Sequence, residues 1–214
     1  MSLPDVLARI EQACARAGRD PHGVRLVAVT KEHPVEEIHE RVLRYGRFPL
    51  GESRIQEALP KMQELEAEWH FIGPLQRNKA KFAVRFDLIH SIDSVRLAEA
   101  VARKAQENNK IQRVLLELNL GREPQKHGFL EEELPEAMAR IQALEGLRVE
   151  GLMTVAPYTE DPEAVRPLFT RLSRLADQYQ LPERSMGMSG DFEVAVEEGA
   201  TLVRVGRAIF EPET

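Results

Sequence analysis

Cysteine is almost absent: Cys14 is the only one among 214 residues. An internal disulfide is therefore excluded, and so is a cysteine-based metal cluster. The six histidines are scattered without metal-ligand spacing, and no metal is expected. No apolar run approaches the length needed to cross a membrane. The opening "MSLPDVLARIEQACARAG" reads as an amphipathic helix with acidic positions, not as a secretory leader. A broad basic excess is also missing. The net charge is -6, which argues against a binder of nucleic acid or of anionic membrane surfaces. Linkers and low-complexity tracts are lacking. One domain over residues 1–214, in the cytoplasm, is the expectation.

What is present is alternation. After the first helix, β-branched or apolar runs alternate with helical periodicity. The strand candidates are 24–30, 48–53, 69–73, 87–93, 112–120, 148–155, 184–189 and the run from 202. Helical segments lie between them: 34–46, 54–68, 78–86, 95–109, 130–146, 163–180 and 191–200. Such alternation implies parallel strands with helical crossovers. Eight repeats predict an α/β fold, a closed (β/α)8 barrel of the TIM type with an extra N-terminal helix. An open doubly wound sheet is the competing arrangement. In the first helix, Leu3, Leu7, Ile10, Cys14 and Ala17 share one face, so Cys14 is expected in the core.

A barrel of this kind puts its site at the C-terminal strand ends. Lys31, Glu52, Ser53, Gly73, Ser91, Asp93, Asn119, Met153, Thr154, the 185–189 segment, Arg204 and Gly206 arrive there. Two late turns, "MGMSGD" (186–191) and "VGRAIF" (205–210), fall where many barrels hold a phosphate. The plain alternative is N-capping by Ser189 with a tight turn at Gly190. Asp191 and Glu193 would then offset the helix dipole. Arg204 sits inside a strand expected to be buried, so its guanidinium needs partners. A carboxylate such as Asp191 or Glu52 is one choice, and a ligand acceptor is the other. Lys31 ends the first strand near that cation. Burial there would lower its amine pKa and make it a nucleophile toward an aldehyde. An aldehyde that also carries a phosphate is pyridoxal 5′-phosphate (PLP).

Eight segments, in order, carry a resemblance over nearly the whole chain. They are "AVTKEHP" (28–34), "GESRIQEA" (51–58), "WHFIGPLQRNKAKF" (69–82), "SIDS" (91–94), "LNLGREPQKHG" (118–128), "GLMTVAP" (151–157), "SMGMSGDFEVAVEEGAT" (185–201) and "VRVGRAIFE" (203–211). The chain resembles the YggS/PROSC family of PLP homeostasis proteins. That resemblance implies a barrel similar to the alanine racemase N-terminal domain, a fold type III-like PLP binder. It implies a Schiff base on Lys31 and Arg204 facing the pyridine nitrogen. It also implies a phosphate held by Ser189, Gly206 and Arg207. Where the family pattern reads Gly-Glu-Asn, this chain has Gly51, Glu52 and Ser53. The implied partners are PLP, amino acids and PLP-dependent apo-enzymes, with little or no catalysis. A PLP-dependent racemase is the alternative, and a cofactor-free phosphosugar enzyme a more distant one. A racemase needs an acid on the second face of the substrate. Of Tyr45, Tyr158 and Tyr179, only Tyr158 is expected near a strand end. Arg77, Lys79 and Lys81 form either a solvated helix face or a cationic rim. Lys126 and His127 lie in the longest loop.

Overall fold

The N-terminal helix α1 (Leu3–Arg16) starts at Ser2, whose hydroxyl accepts from Asp5 N, while the Asp5 carboxylate accepts from Ser2 N at 2.7 Å. This reciprocal cap, with Pro4 in the first turn, sets the helix start. Its buried face is Leu3, Val6, Ile10, Ala13 and Cys14. Ala17, expected on that face, is exposed at the helix end. The helix lies across the two last helices of the chain and is pinned by Arg16–Glu197 at 2.6 Å.

The computed structural model describes residues 1–211. In it the strands β1 (Arg25–Val29), β2 (Leu50–Glu52), β3 (Trp69–Phe71) and β4 (Leu88–Ile92) are followed by β5 (Gln112–Leu118), β6 (Leu147–Thr154), β7 (Glu183–Ser185) and β8 (Leu202–Val205). All pair in parallel with their sequence neighbours, and β8 returns to β1 through Val27↔Arg204 and Ala28↔Val205. The barrel is closed, so the open-sheet alternative is set aside. Between the strands run α2 (Val35–Arg41), α3 (Ile55–Glu64), α4 (Ala80–Ala83), α5 (Val95–Glu107), α6 (Leu134–Gln142), α7 (Arg166–Gln178) and α8 (Phe192–Glu197), with α9 (Arg207–Phe210) after β8. No helix among the described residues is long and apolar enough to cross a membrane.

Register decides which side chains enter the barrel. Val29 pairs with Gly51, Gly51 with His70, His70 with Leu88, Met153 with Ser185, and Ser185 with Leu202. Paired residues face the same side. The inner wall therefore carries a small apolar cluster of Val27, Leu88, Leu115, Met153 and Leu202. The larger core lies between strands and helices, where Phe71 meets Phe86 edge-on at 5.2 Å, worth about 1 kcal/mol beyond burial. Gly51 has to be small: a Cβ there would lie 3.0 Å from Val27 Cγ1. The N-terminal end of the barrel is closed by charge, with Arg25 on Glu68 (3.3 Å) and Glu183 (3.4 Å), and Arg113 on Glu150 (2.8 Å).

Several strands are shorter than expected, among them β2, β3 and β5, and β7 has the clearest cause. β7 stops at Ser185 instead of running to 189, because Gly187 turns the chain at φ +92°. Only glycine fits there: a Cβ would come 2.9 Å from Phe192 Cα. The freed Gly187 carbonyl accepts Arg204 N at 2.9 Å, which ties the turn to β8.

Candidate functional site

The two late turns meet at the C-terminal mouth of the barrel. The Ser189 hydroxyl accepts Ala208 N at 3.2 Å. Ser189 therefore links the 186–191 turn to α9 and does not cap α8. Asp191 stands at the cap position of α8, but its carboxylate accepts Met188 N at 2.6 Å and closes the turn itself. Burial raises its pKa against that hydrogen bond. Glu193 is paired with Arg9 of α1, so its charge is spent away from the turns. The backbone N–H groups of Ser189, Gly190, Gly206 and Arg207 have no partner among the described residues. Free N–H groups converging beside an arginine make a receptor for an oxyanion.

Gly206 also joins this cup to β1. A Cβ on it would lie 3.1 Å from Val29 Cβ and 3.2 Å from the Val29 carbonyl. Lys31 follows two residues after Val29, and its amine has no hydrogen bond or ion pair. The side chain is exposed, whereas burial was expected. The segment around it is fixed from both sides: Glu32 takes a left-handed conformation at φ +67°, and His33 stacks on Phe210 of α9 at 3.9 Å.

Arg204 is 3% exposed. Of the two choices for its partner, the carboxylate is not taken: neither Asp191 nor Glu52 bonds to it. Nη1 donates to Ser185 Oγ at 2.6 Å and Nη2 to the Thr154 carbonyl at 2.9 Å. Burial pulls its pKa down to about 10, against the pull of Glu117 and Asp191, which leaves a cation at neutral pH. Glu52 points the other way. It faces the helical layer, where Lys61 and the Thr30 hydroxyl each reach Oε1 at 2.7 Å. Sequence proximity to the strand end misplaced it, because Gly51 takes the inward position.

Glu117 at the mouth and two histidines in the barrel interior were missed by reasoning from sequence. Glu117 ends the inner face of β5, and burial, reinforced by Asp93, raises its carboxyl to about 7. His90 and His70 lie beneath Arg204, with His90 Nδ1 2.8 Å from Ser185 Oγ and His90 Nε2 2.9 Å from His70 Nδ1. A partial signal existed: His70 is the one polar residue of β3, and Glu117 interrupts the apolar run that ends β5. The long loop after β5 is fastened across the mouth, with Lys126 Nζ donating to Ala156 O (3.0 Å) and His127 meeting Asp93 (3.2 Å). Lys79 and His127 line one depression of about 310 Å³ beside it, with Ser53 and Gln76. Lys81 rests over Phe82, and Tyr158, after β6, is 86% exposed.

Known proteins share this architecture. The family described as "Alanine racemase, N-terminal domain" matches residues 2–213. A pyridoxal phosphate homeostasis protein of Deinococcus radiodurans is 50% identical over 211 residues, 98% of this chain and all of that protein. One from Aquifex aeolicus is 45% identical, covering 97% of this chain and 95% of its own. The structure of PipY from Synechococcus elongatus PCC7942 with PLP bound superposes with a TM-score of 0.80 at 36% identity, over 94% of this chain and 99% of that one. Matched from end to end in sequence and in fold, the chain belongs to the alanine racemase N-terminal domain family, among its pyridoxal phosphate homeostasis proteins.

Proposed function

We propose that the protein binds pyridoxal 5′-phosphate at the barrel mouth, holds it covalently through Lys31, and serves PLP homeostasis with little or no catalysis. The observation that carries this reading is the cup of four unpartnered N–H groups set against the end of β1, two residues before Lys31. Ser189, Gly206 and Arg207 would hold the phosphate, and Arg204 would meet the ring nitrogen. Relatives carry the homeostasis name, and PipY has been seen with PLP bound. Bound PLP supplies an aldehyde that an amine can capture and a ring that draws electrons when its nitrogen is protonated.

Arg204 bears on the choice between holding and turning over. A buried cation facing the ring nitrogen disfavours a proton there, which weakens the ring as an electron sink. It leaves the bond to Lys31 unaffected. The partners this implies are PLP, amino acids that compete for the aldehyde, and cytoplasmic apo-enzymes that receive the cofactor. The whole chain, 1–214, would act as one PLP-binding domain.

The test is an absorption spectrum of the protein mixed with PLP, then borohydride reduction and peptide mass mapping. A visible band and a pyridoxyl mass on Lys31 are expected. A main label on Lys79 or Lys126 would refute the assignment. Pyridoxal lacks the phosphate and should bind much more weakly; equal affinity for both aldehydes would remove the phosphate cup.

A further inference from the structure

Beneath Arg204 an unbroken file of side chains crosses the barrel interior. Arg204 Nη1 donates to Ser185 Oγ at 2.6 Å, and Ser185 Oγ lies 2.8 Å from His90 Nδ1. His90 Nε2 lies 2.9 Å from His70 Nδ1, and His70 Nε2 lies 2.9 Å from Glu68 Oε1. Ser185 and both histidines are fully buried, and Arg204 nearly so. The file starts at the mouth and ends at the opposite face, where Arg25 (3.3 Å) and Arg113 (3.6 Å) also reach Glu68.

The chemistry of each link restricts where the protons sit. Hydrogen bonding to His70, with Arg25 and Arg113 nearby, holds Glu68 down at about 2, so it only accepts. His70 Nε2 must then carry a proton. If His70 is neutral, its Nδ1 accepts, and His90 Nε2 is the donor. A neutral His90 then offers Nδ1 as acceptor to the Ser185 hydroxyl. The serine oxygen is left to accept from Arg204. The other order needs an imidazolium. That cation would fall on His70, beside Glu68, and His90 Nδ1 would become a donor to Ser185; the serine oxygen, already accepting from Arg204, would accept twice and its proton would have no acceptor along the file. Only the neutral order satisfies every group.

We propose that Ser185, His90 and His70 are positioning residues: their one-way file keeps the Ser185 oxygen an acceptor and so fixes the Arg204 guanidinium toward the cofactor ring. The relevance to the ring rests on the PLP reading above; the file itself does not. Without His90, the Ser185 hydroxyl has no acceptor along the file. Its proton can turn toward the guanidinium, which loses its Nη1 partner and its fixed plane.

Two measurements test this. The first is long-range 15N–1H NMR of the imidazoles near neutral pH in the unliganded protein, assigned with His70→Gln and His90→Gln. Both rings should be neutral with the proton on Nε2. A proton on His90 Nδ1, or an imidazolium at either position, would overturn the file. In the same samples the Arg204 Nη protons should be resolved in the unsubstituted protein and averaged in Ser185→Ala and His90→Phe. Resolved signals in both variants would refute positioning. The second measurement is the pH titration of the visible band with PLP. Its midpoint should move by about half a pH unit or more in Ser185→Ala and His90→Phe. It should stay in place in His90→Gln, whose amide oxygen can accept from Ser185. Coincident titrations in all four proteins would sink the link to the ring. Should His90→Phe fail to fold, Ser185→Ala carries the comparison. A missing visible band in the unsubstituted protein would strike the PLP reading instead, and the NMR result would still decide the file.

Discussion

Glu117 ties the stability of the unliganded barrel to pH. Its carboxyl is raised from 4.5 to about 7 by burial and by Asp93. Between those values the unfolded chain is ionised and the folded one holds the proton. Stability present below 4.5 is therefore lost as pH rises toward 7, and the loss then levels off. At about 1.4 kcal/mol per pH unit the full effect is about 3 kcal/mol. Glu117→Gln should be more stable than the parent at pH 8 by up to about that amount, read from urea midpoints. Equal pH profiles would mean that Glu117 is ionised in the folded state. His90 acts in the opposite sense. Burial, with Arg204 nearby, holds it well below 6.5, so the stability it contributes is present above 6.5 and is lost as pH falls. His90→Gln should flatten the acid side of the profile by about 1.4 kcal/mol per unit below that value; an unchanged slope would count against a neutral His90. At the cup, Ser189→Ala removes the acceptor for Ala208 N and, in the proposed function, a phosphate contact. PLP binding should weaken by about 1–2 kcal/mol in an absorbance titration, and an unchanged affinity would take Ser189 out of the site.

The elements carry their function through parity and close approach. Gly206 is the joint between β8, α9 and β1. Gly206→Ala would place a methyl against Val29 and push α9 outward. We expect a stability loss of about 1–3 kcal/mol and a larger loss of PLP affinity than in Ser189→Ala, seen by thermal melting and absorbance titration. Normal binding would mean that the approach is not needed. Strand and helix alternation was legible in the sequence because apolar runs and helical spacing are local properties. The cup was legible too, as two glycine turns at the right strand ends. What was not legible came from register. Glu52 and Gly51 exchange faces if parity is misjudged by one residue, and Arg204's partners come from β7 and β6, whose alignment no local pattern gives. His70 and His90 look unrelated in sequence because β3 and β4 are joined by a long connection. In space they touch.

At the scale of the whole molecule, the two barrel ends are chemically unlike. One is sealed by paired arginines and glutamates, the other opens on a cup of free amides. Racemisation needs a proton removed from one side of the substrate and another delivered to the opposite side. Lys31, if it holds the cofactor as proposed, would serve one side. Tyr158, the tyrosine expected near a strand end, is 86% exposed in its loop. With saturating PLP, alanine should exchange its Cα proton and invert far more slowly than the typical enzyme median of about 10 per second. Turnover near that rate, measured by deuterium exchange and chiral chromatography, would favour the racemase reading, and Tyr158→Phe would be the next variant to make.

Closure of β8 on β1 has a further consequence, one of timing. Ala28 pairs with Val205, so a strand near the start of the chain waits for one near its end. Contacts so distant in sequence make folding slow, since the loop must close before they reward it. The segment that brings Arg204, Gly206 and Arg207 is made after β1 to β7, and the seat of α1 on α8 and α9 forms only then. A nascent chain therefore presents Lys31 long before it has a cup to pair with it. The proposed capture of the aldehyde by Lys31 is in this way reserved for the closed barrel.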